Sequence, residues 1–257
     1  MNGRRLGVLV TGAASGIGLG VATHLAERGH AVCLTDLDAK AVDGAAAALR
    51  ARSLEATAMR LDVTSAADID AVAAALAPAG PDLLVNNAGL QHVAPLEEFP
   101  RERWELLIAV MLTGSAMLTR AVLPGMRQRG FGRIVNVGSI HSLVASPYKS
   151  AYVAAKHGLV GFSRTIALET ADCDITINTV CPSYVRTPLV EAQIAAQARA
   201  HGLPEQQVVD EIMLKPMPKR AFVTLEELGG IIEFLASDVA RNVTGQSIAV
   251  DGGWTAQ

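Results

Sequence analysis

The chain has 257 residues, half of them hydrophobic but only 4% aromatic, which is enough to bury the core of one large α/β domain or two small ones. A net charge of −3 argues against a nucleic-acid or anionic-membrane surface. No stretch reaches the roughly eighteen consecutive apolar residues of a membrane span. Cys33, Cys173 and Cys181 are odd in number and lack Cys-x-x-Cys spacing, so they read as buried thiols in a reducing compartment. The six histidines show no metal-ligand spacing, and no metal is expected. Arg4-Arg5 precedes only the short run LGVLV, without the long apolar region or cleavage site of an export signal, so a cytoplasmic location is expected.

In chain order, apolar runs rich in β-branched residues fall at 6–10, 30–36, 55–63, 82–89, 132–139, 175–182 and 246–253. Helical periodicity separates many of them, as at 16–28, 39–52, 67–77 and 101–129. Continuous apolar strands alternating with helices predict βαβ units. The expectation is a single doubly wound α/β domain of the Rossmann type over 1–257, with a seven-stranded parallel sheet. Residues 187–220 break the alternation with two helical patterns split by Gly202-Leu203-Pro204. A helical insertion just past a strand's carboxyl end lies where such sheets bind ligands, so it is expected to be a substrate lid.

The first strand runs into Thr11-Gly12-Ala13-Ala14-Ser15-Gly16-Ile17-Gly18 and then a helix. Three residues separate Gly12 from Gly16, so this is not a literal GxGxxG, but the mechanics hold. Glycines allow a tight turn and close backbone approach, and a helix N-terminus then faces a pyrophosphate. Asp36 ends the second strand, 18 residues beyond Gly18, the expected place for a carboxylate on the adenosine ribose. It would repel a 2′-phosphate, so NAD is expected rather than NADP.

Tyr152 and Lys156 stand four apart on a helical pattern and therefore share a face. In isolation an ordinary packing pair explains them better. Oxidising a secondary alcohol needs a hydride acceptor and a base. Ionising a tyrosine of pKa about 10 at neutral pH costs roughly 4 kcal/mol. A lysine ammonium at ~4 Å offsets most of that at an effective dielectric of about 20. Ser139, at a strand end, is placed to orient the substrate oxygen. His141 would share its face if the strand continued. Small residues along the same helix (Ala151, Ala154, Ala155, Gly158, Gly161) fit either a subunit interface or tight packing within the chain.

Together TGAASGIG, Asp62-Val63, Asn86-Asn87-Ala88-Gly89 and Ser139…Tyr152-x-x-x-Lys156 resemble the classical short-chain dehydrogenase/reductase family over the whole chain. Further stretches narrow the resemblance to the bacterial D-3-hydroxybutyrate dehydrogenases: residues 90–95, Ser139-Ile140-His141, Lys149, residues 187–190, Gln193 and the ending DGGWTAQ. The resemblance implies Ser139, Tyr152 and Lys156 as catalytic residues and a homotetramer. It puts Gly12, Ser15, Gly16, Ile17, Gly18, Asn87 and Val185 on the cofactor, beside Asp36, Tyr152 and Lys156. It gives Asp62 and Val63 to the adenine, Ala88 and Gly89 to the ribose, and Thr187 to the nicotinamide amide. Gln91, His141, Lys149 and Gln193 become the pocket for a hydroxy- or keto-acid carboxylate. Trp254 reads as a hydrophobic wall or a subunit contact.

Three positions depart from that pattern. Met111 replaces an asparagine associated with a proton relay, Ser183 replaces a glycine, and Tyr184 replaces a tryptophan of close relatives. The leading expectation is NAD-dependent interconversion of D-3-hydroxybutyrate and acetoacetate. The alternatives are an NAD-dependent reductase of another small ketone or sugar, and an NAD-binding regulator without catalysis, to which Met111 points. Asp36 and Lys149 disfavour a thioester reductase.

Overall fold

The computed structural model describes residues 4–77 and 80–256. Among them, β1 Gly7–Thr11, β2 Ala31–Asp36, β3 Ala56–Arg60, β4 Leu83–Asn86, β5 Phe131–Val137, β6 Asp174–Pro182 and β7 Ser247–Val250 form one sheet. Every pairing is parallel, in the order β3-β2-β1-β4-β5-β6-β7. The chain winds outward from β1 in one direction and from β4 in the other. Crevices at the carboxyl ends of these two strands are the ligand position of a doubly wound sheet.

Both faces of the sheet are buried, so the strands read as continuous apolar runs. Adjacent residues still divide between two cores by the two-residue period. Val8, Val10, Leu34 and Val85 face α1 (Gly16–Glu27), α2 (Ala39–Ala51) and α9 (Leu225–Ala236). Leu9, Cys33, Leu84 and Ile134 face α3 (Ala66–Ala75), α5 (Ser115–Arg129) and α6 (Ser150–Glu169). The strands are shorter than the apolar runs, because residues such as Asp62, Val63, Asn87 and Gly89 leave the sheet to line the cleft.

Cys33 and Cys181 are buried, but Cys173 is half-exposed, contrary to the expectation for all three. It sits in the turn before β6, at the edge of the second core. The expected helix at 101–129 is α4 (Arg101–Ile108), a π-helical segment (Ala109–Gly114) and α5, with Met111 in the π segment. By length and composition this rod passes for a membrane span. Its Leu107, Met111, Leu118, Val122 and Met126 are buried within the fold.

Residues 187–220 contain α7 (Pro188–His201), α8 (Glu205–Val208) and a second π-helical segment (Val209–Met213). Gly202, left-handed at φ 64°, ends α7 where the sequence predicts the break. Val190, Ile194, Val208, Met213 and Met217 give the insertion its own small core, against which Tyr184, Phe222 and Trp254 pack. Its feet are tied by a Val185–Val223 bridge and by Lys219 N–H donating to Gly252 O at 3.1 Å.

Candidate active site

Gly12 (φ 61°) and Gly16 (φ 56°) take left-handed conformations that let the chain turn from β1 into α1. The Asn87 side chain donates to Thr11 O (2.9 Å) and Gly12 O (3.0 Å), so it braces the turn. Gly18 lies behind the turn, where a Cβ would stand 2.3 Å from Gly12 O. Its missing side chain is what lets α1 pack against the turn. Ser15 precedes α1 without capping it through its side chain, leaving the first-turn N–H groups to a ligand. Across the turn, Asp36 accepts from Ala14 N–H at 3.1 Å, which fixes its carboxylate in the cleft beside the turn.

That cleft has a volume of about 550 Å³. Gly12, Ser15, Gly16, Ile17 and Asp36 line it together with Asp62, Val63, Asn87, Ala88 and Gly89. Tyr152, Lys156 and Thr187 also line it, with Thr187 packed beside Gly16. A glycine-lined turn, an uncapped helix start and a carboxylate at the end of the second strand fit a dinucleotide. Val185 belongs instead to the neighbouring cavity, because the chain turns inward there before the insertion.

This second, smaller cavity has a volume of about 110 Å³. Gln91, Ser139, His141, Lys149, Tyr152 and Gln193 all line it, with Ser183, Tyr184 and Val185. The structure thus brings together each residue expected at the substrate and each expected at the chemistry except Lys156, which lies beside Tyr152 on the cleft side. His141 arrives by a different route from the one its spacing suggests. β5 stops at Val137, and Ser139 begins a 3₁₀ turn (Ile140–Ser142) that swings His141 inward. Lys149 Nζ lies 3.5 Å from His141 Nε2, and Ser146 Oγ lies 3.3 Å from the same atom. Burial, and then the Lys149 charge, lower His141 to about 4, so it is neutral at pH 7. Burial also lowers Lys149. Gln91 Oε1 and Ser183 Oγ are buried without a hydrogen-bond partner, polar atoms that a bound ligand would satisfy.

The electrostatics of the pair on α6 differ from the sequence-based expectation. Burial raises the Tyr152 phenol, and the group that opposes this is the hydrogen bond with Ser139. Lys156 Nζ donates to Val137 O at 2.7 Å and lies 5.6 Å from the Tyr152 ring centroid. Burial lowers Lys156 to about 8. Trp254 stands edge-on to His141 (6.1 Å) and tilted on Tyr184 (6.2 Å), and is a wall of this region. Along α6, Ala151 and Ala155 are buried, and a Cβ on Gly158 would meet Leu112 at 2.8 Å. Tight packing within the chain accounts for those three, while Ala154 and Gly161 face outward.

Sequence reasoning passed over Ser142 and Ser146. Ser142 was legible in the spacing Ser139-x-x-Ser142, which suits reciprocal capping of a short turn.

Comparison with known proteins agrees with this arrangement. A family model described as enoyl-(acyl carrier protein) reductase matches residues 12–255. A D-beta-hydroxybutyrate dehydrogenase of Cupriavidus necator is 46% identical over 259 residues, covering 100% of each chain. One from Rhizobium meliloti is 44% identical, covering 97% of this chain and 98% of its own. A crystallised actinorhodin polyketide ketoreductase variant with NADPH superposes with a TM-score of 0.93 at 33% identity, covering 97% of each chain. With the strand order, the glycine-rich turn and the Ser139–Tyr152–Lys156 grouping, these matches make the chain a member of the short-chain dehydrogenase/reductase family, an oxidoreductase that works with a nicotinamide cofactor.

Proposed function

We propose that the chain is an NAD-dependent dehydrogenase that interconverts D-3-hydroxybutyrate and acetoacetate, with Tyr152 as general base. The observation that carries this reading is the meeting of Lys149, His141, Gln91 and Gln193 in one small cavity with Ser139 and Tyr152. A cation beside neutral donors is built for a carboxylate, and about 110 Å³ suits a substrate of a few carbons. The two relatives named for D-beta-hydroxybutyrate support the same choice.

A bound nicotinamide supplies the hydride acceptor and, when oxidised, a positive charge beside the phenol. Gly12, Ser15, Gly16 and Ile17 would hold its pyrophosphate, Asp36 the adenosine ribose, and Asp62 and Val63 the adenine. The Asp36 carboxylate disfavours a 2′-phosphate, which is the basis for choosing NAD. Lys149 holds the substrate carboxylate, with His141, Gln91 and Gln193 as its neutral partners. Ser139 donates to the substrate oxygen and fixes its place. Tyr152 takes the carbinol proton in oxidation and returns it in reduction. Lys156, held by Val137 O, keeps a positive charge near the tyrosinate as it forms. The insertion that carries Gln193 acts as the lid.

A second reading, oxidation of another small hydroxy acid, is favoured by the unpartnered Ser183 hydroxyl and by Tyr184 in the cavity wall. The deciding experiment is a panel of secondary alcohols and ketones assayed with NAD(H) and NADP(H). The highest kcat/KM is expected for D-3-hydroxybutyrate with NAD. A clear preference for an uncharged alcohol would refute the assignment, and NAD binding without turnover of any panel member would favour the regulator.

A further inference from the structure

We infer that Ser142 is a positioning residue for the reaction, holding Ser139 so that its hydroxyl hydrogen is directed at the reacting oxygen. This rests on the reading of Ser139 and Tyr152 given above. The connection from β5 to the 3₁₀ turn is tightly specified. Gly138 N–H donates to Val180 O at 2.7 Å, and a Cβ on Gly138 would meet Thr179 at 2.6 Å and Ser142 Oγ at 2.8 Å. Ser139 is extended (φ −163°, ψ 163°), and its N–H donates to Ser142 Oγ at 3.2 Å. In return Ser139 Oγ accepts the backbone N–H of His141 at 3.1 Å, and Ser142 N–H donates to Ser139 O at 2.8 Å. Ser142 is only 3% exposed, so water cannot replace its hydroxyl.

A serine hydroxyl has one hydrogen to donate and two lone pairs. The fixed N–H of His141 occupies one lone pair of Ser139, so the hydrogen is turned away from the 3₁₀ turn. The partner on that side is Tyr152, whose phenol the Ser139 hydrogen bond lowers. Donation is what an oxygen gaining negative charge requires, whether phenol or alcohol. Without the Ser142 hydroxyl, the buried Ser139 N–H keeps only the weakly accepting Cys181 sulfur, and the turn is loosened. Displacements of even 1 Å are costly in such sites.

The test is steady-state oxidation of D-3-hydroxybutyrate by Ser142→Ala, Ser139→Ala and the double variant. Ser142→Ala is expected to lower kcat about tenfold, equivalent to about 1.4 kcal/mol. In the Ser139→Ala background the same change is expected to alter kcat by less than about twofold, because its effect passes through Ser139. The acidic limb of kcat/KM against pH should also move upward in Ser142→Ala, since the bond that lowers Tyr152 is weakened. Independent, multiplying losses with an unmoved acidic limb would overturn the proposal, as would undiminished kcat in Ser142→Ala. Should Ser142→Ala fail to fold, Ser142→Cys keeps the volume with a weak acceptor and is judged by the same criteria. Full activity of Ser139→Ala would overturn this proposal and the site reading together.

Discussion

Replacing Lys149 with alanine separates recognition of the acid from the chemistry. Lys149 Nζ lies 3.5 Å from His141 Nε2 in the cavity, and burial already lowers both groups. An arriving carboxylate therefore meets a partly desolvated cation, and their charge-assisted hydrogen bond contributes about 1.5–3 kcal/mol. Its loss should raise KM for D-3-hydroxybutyrate roughly 10- to 100-fold while leaving an uncharged alcohol of similar size almost untouched. A second consequence follows from His141. The Lys149 charge is the second cause of its fall to about 4, so in Lys149→Ala the imidazole should regain protons at higher pH. A cation then returns to the cavity at a higher pH than in the unmodified protein, although burial, the larger cause, still holds the imidazole below its free value. The KM defect of the variant should accordingly shrink between pH 7 and pH 5, with no matching improvement in the unmodified protein. Lys156→Ala makes the control, because it removes charge beside the tyrosinate and should lower kcat for both substrates. Steady-state kinetics on the charged and neutral substrates across that pH range is the assay. Equal weakening of both substrates by Lys149→Ala, or of neither, would refute the carboxylate anchor.

Asp36→Ala should narrow the NAD-over-NADP ratio of kcat/KM by roughly 10- to 100-fold, through loss of a charge-assisted bond to the ribose and of repulsion toward the 2′-phosphate. Equal kcat/KM for both cofactors in the unmodified protein would contradict that role. Met111 is 1% exposed, and its thioether accepts hydrogen bonds only weakly. Met111→Asn should raise turnover severalfold by restoring a polar group near Lys156, yet cost about 1–3 kcal/mol of stability if the amide is left unpaired. Stopped-flow turnover and thermal melting of the same sample check both halves. For His141, the folded value of about 4 lies below the unfolded 6.5, so the unfolded chain binds the extra proton. Stability should fall by about 3 kcal/mol as the pH drops from 6.5 to 4, and His141→Gln should flatten that limb in urea titrations.

The parallel sheet was legible because its strands are apolar on both faces and separated by helical periodicity. The carboxyl-end location of the site followed from the same alternation. Less legible were residues whose positions depend on loops. His141 was given the right neighbour through a strand continuation that does not exist, since the chain folds into a 3₁₀ turn after Gly138. Gly18 carries a motif position, and its missing side chain makes room for Gly12 and Asn87, a packing reason that spacing does not reveal. For Tyr152, helical spacing placed Lys156 on the same face. Spacing says nothing of burial, which raises the phenol and engages the ammonium with Val137 O. The π-helical segment around Met111 has no period-based signature, because its neighbours on both sides keep ordinary helical patterning.

The insertion between Val185 and Val223 leaves and rejoins the scaffold at one bridge beside the sheet, with Lys219 N–H also tied to Gly252 O, and carries its own apolar core between the two feet. Such a segment is a cassette. Its interior can be re-sequenced, shortened or exchanged for that of a related chain without rethreading β6 or β7, provided Val185 and Val223 still pair. Ser139, Tyr152 and Lys156 belong to the scaffold, whereas Gln193 travels with the cassette. Substrate choice in this architecture can therefore change by replacement of one contiguous stretch of chain, while the proton-transfer machinery is inherited intact.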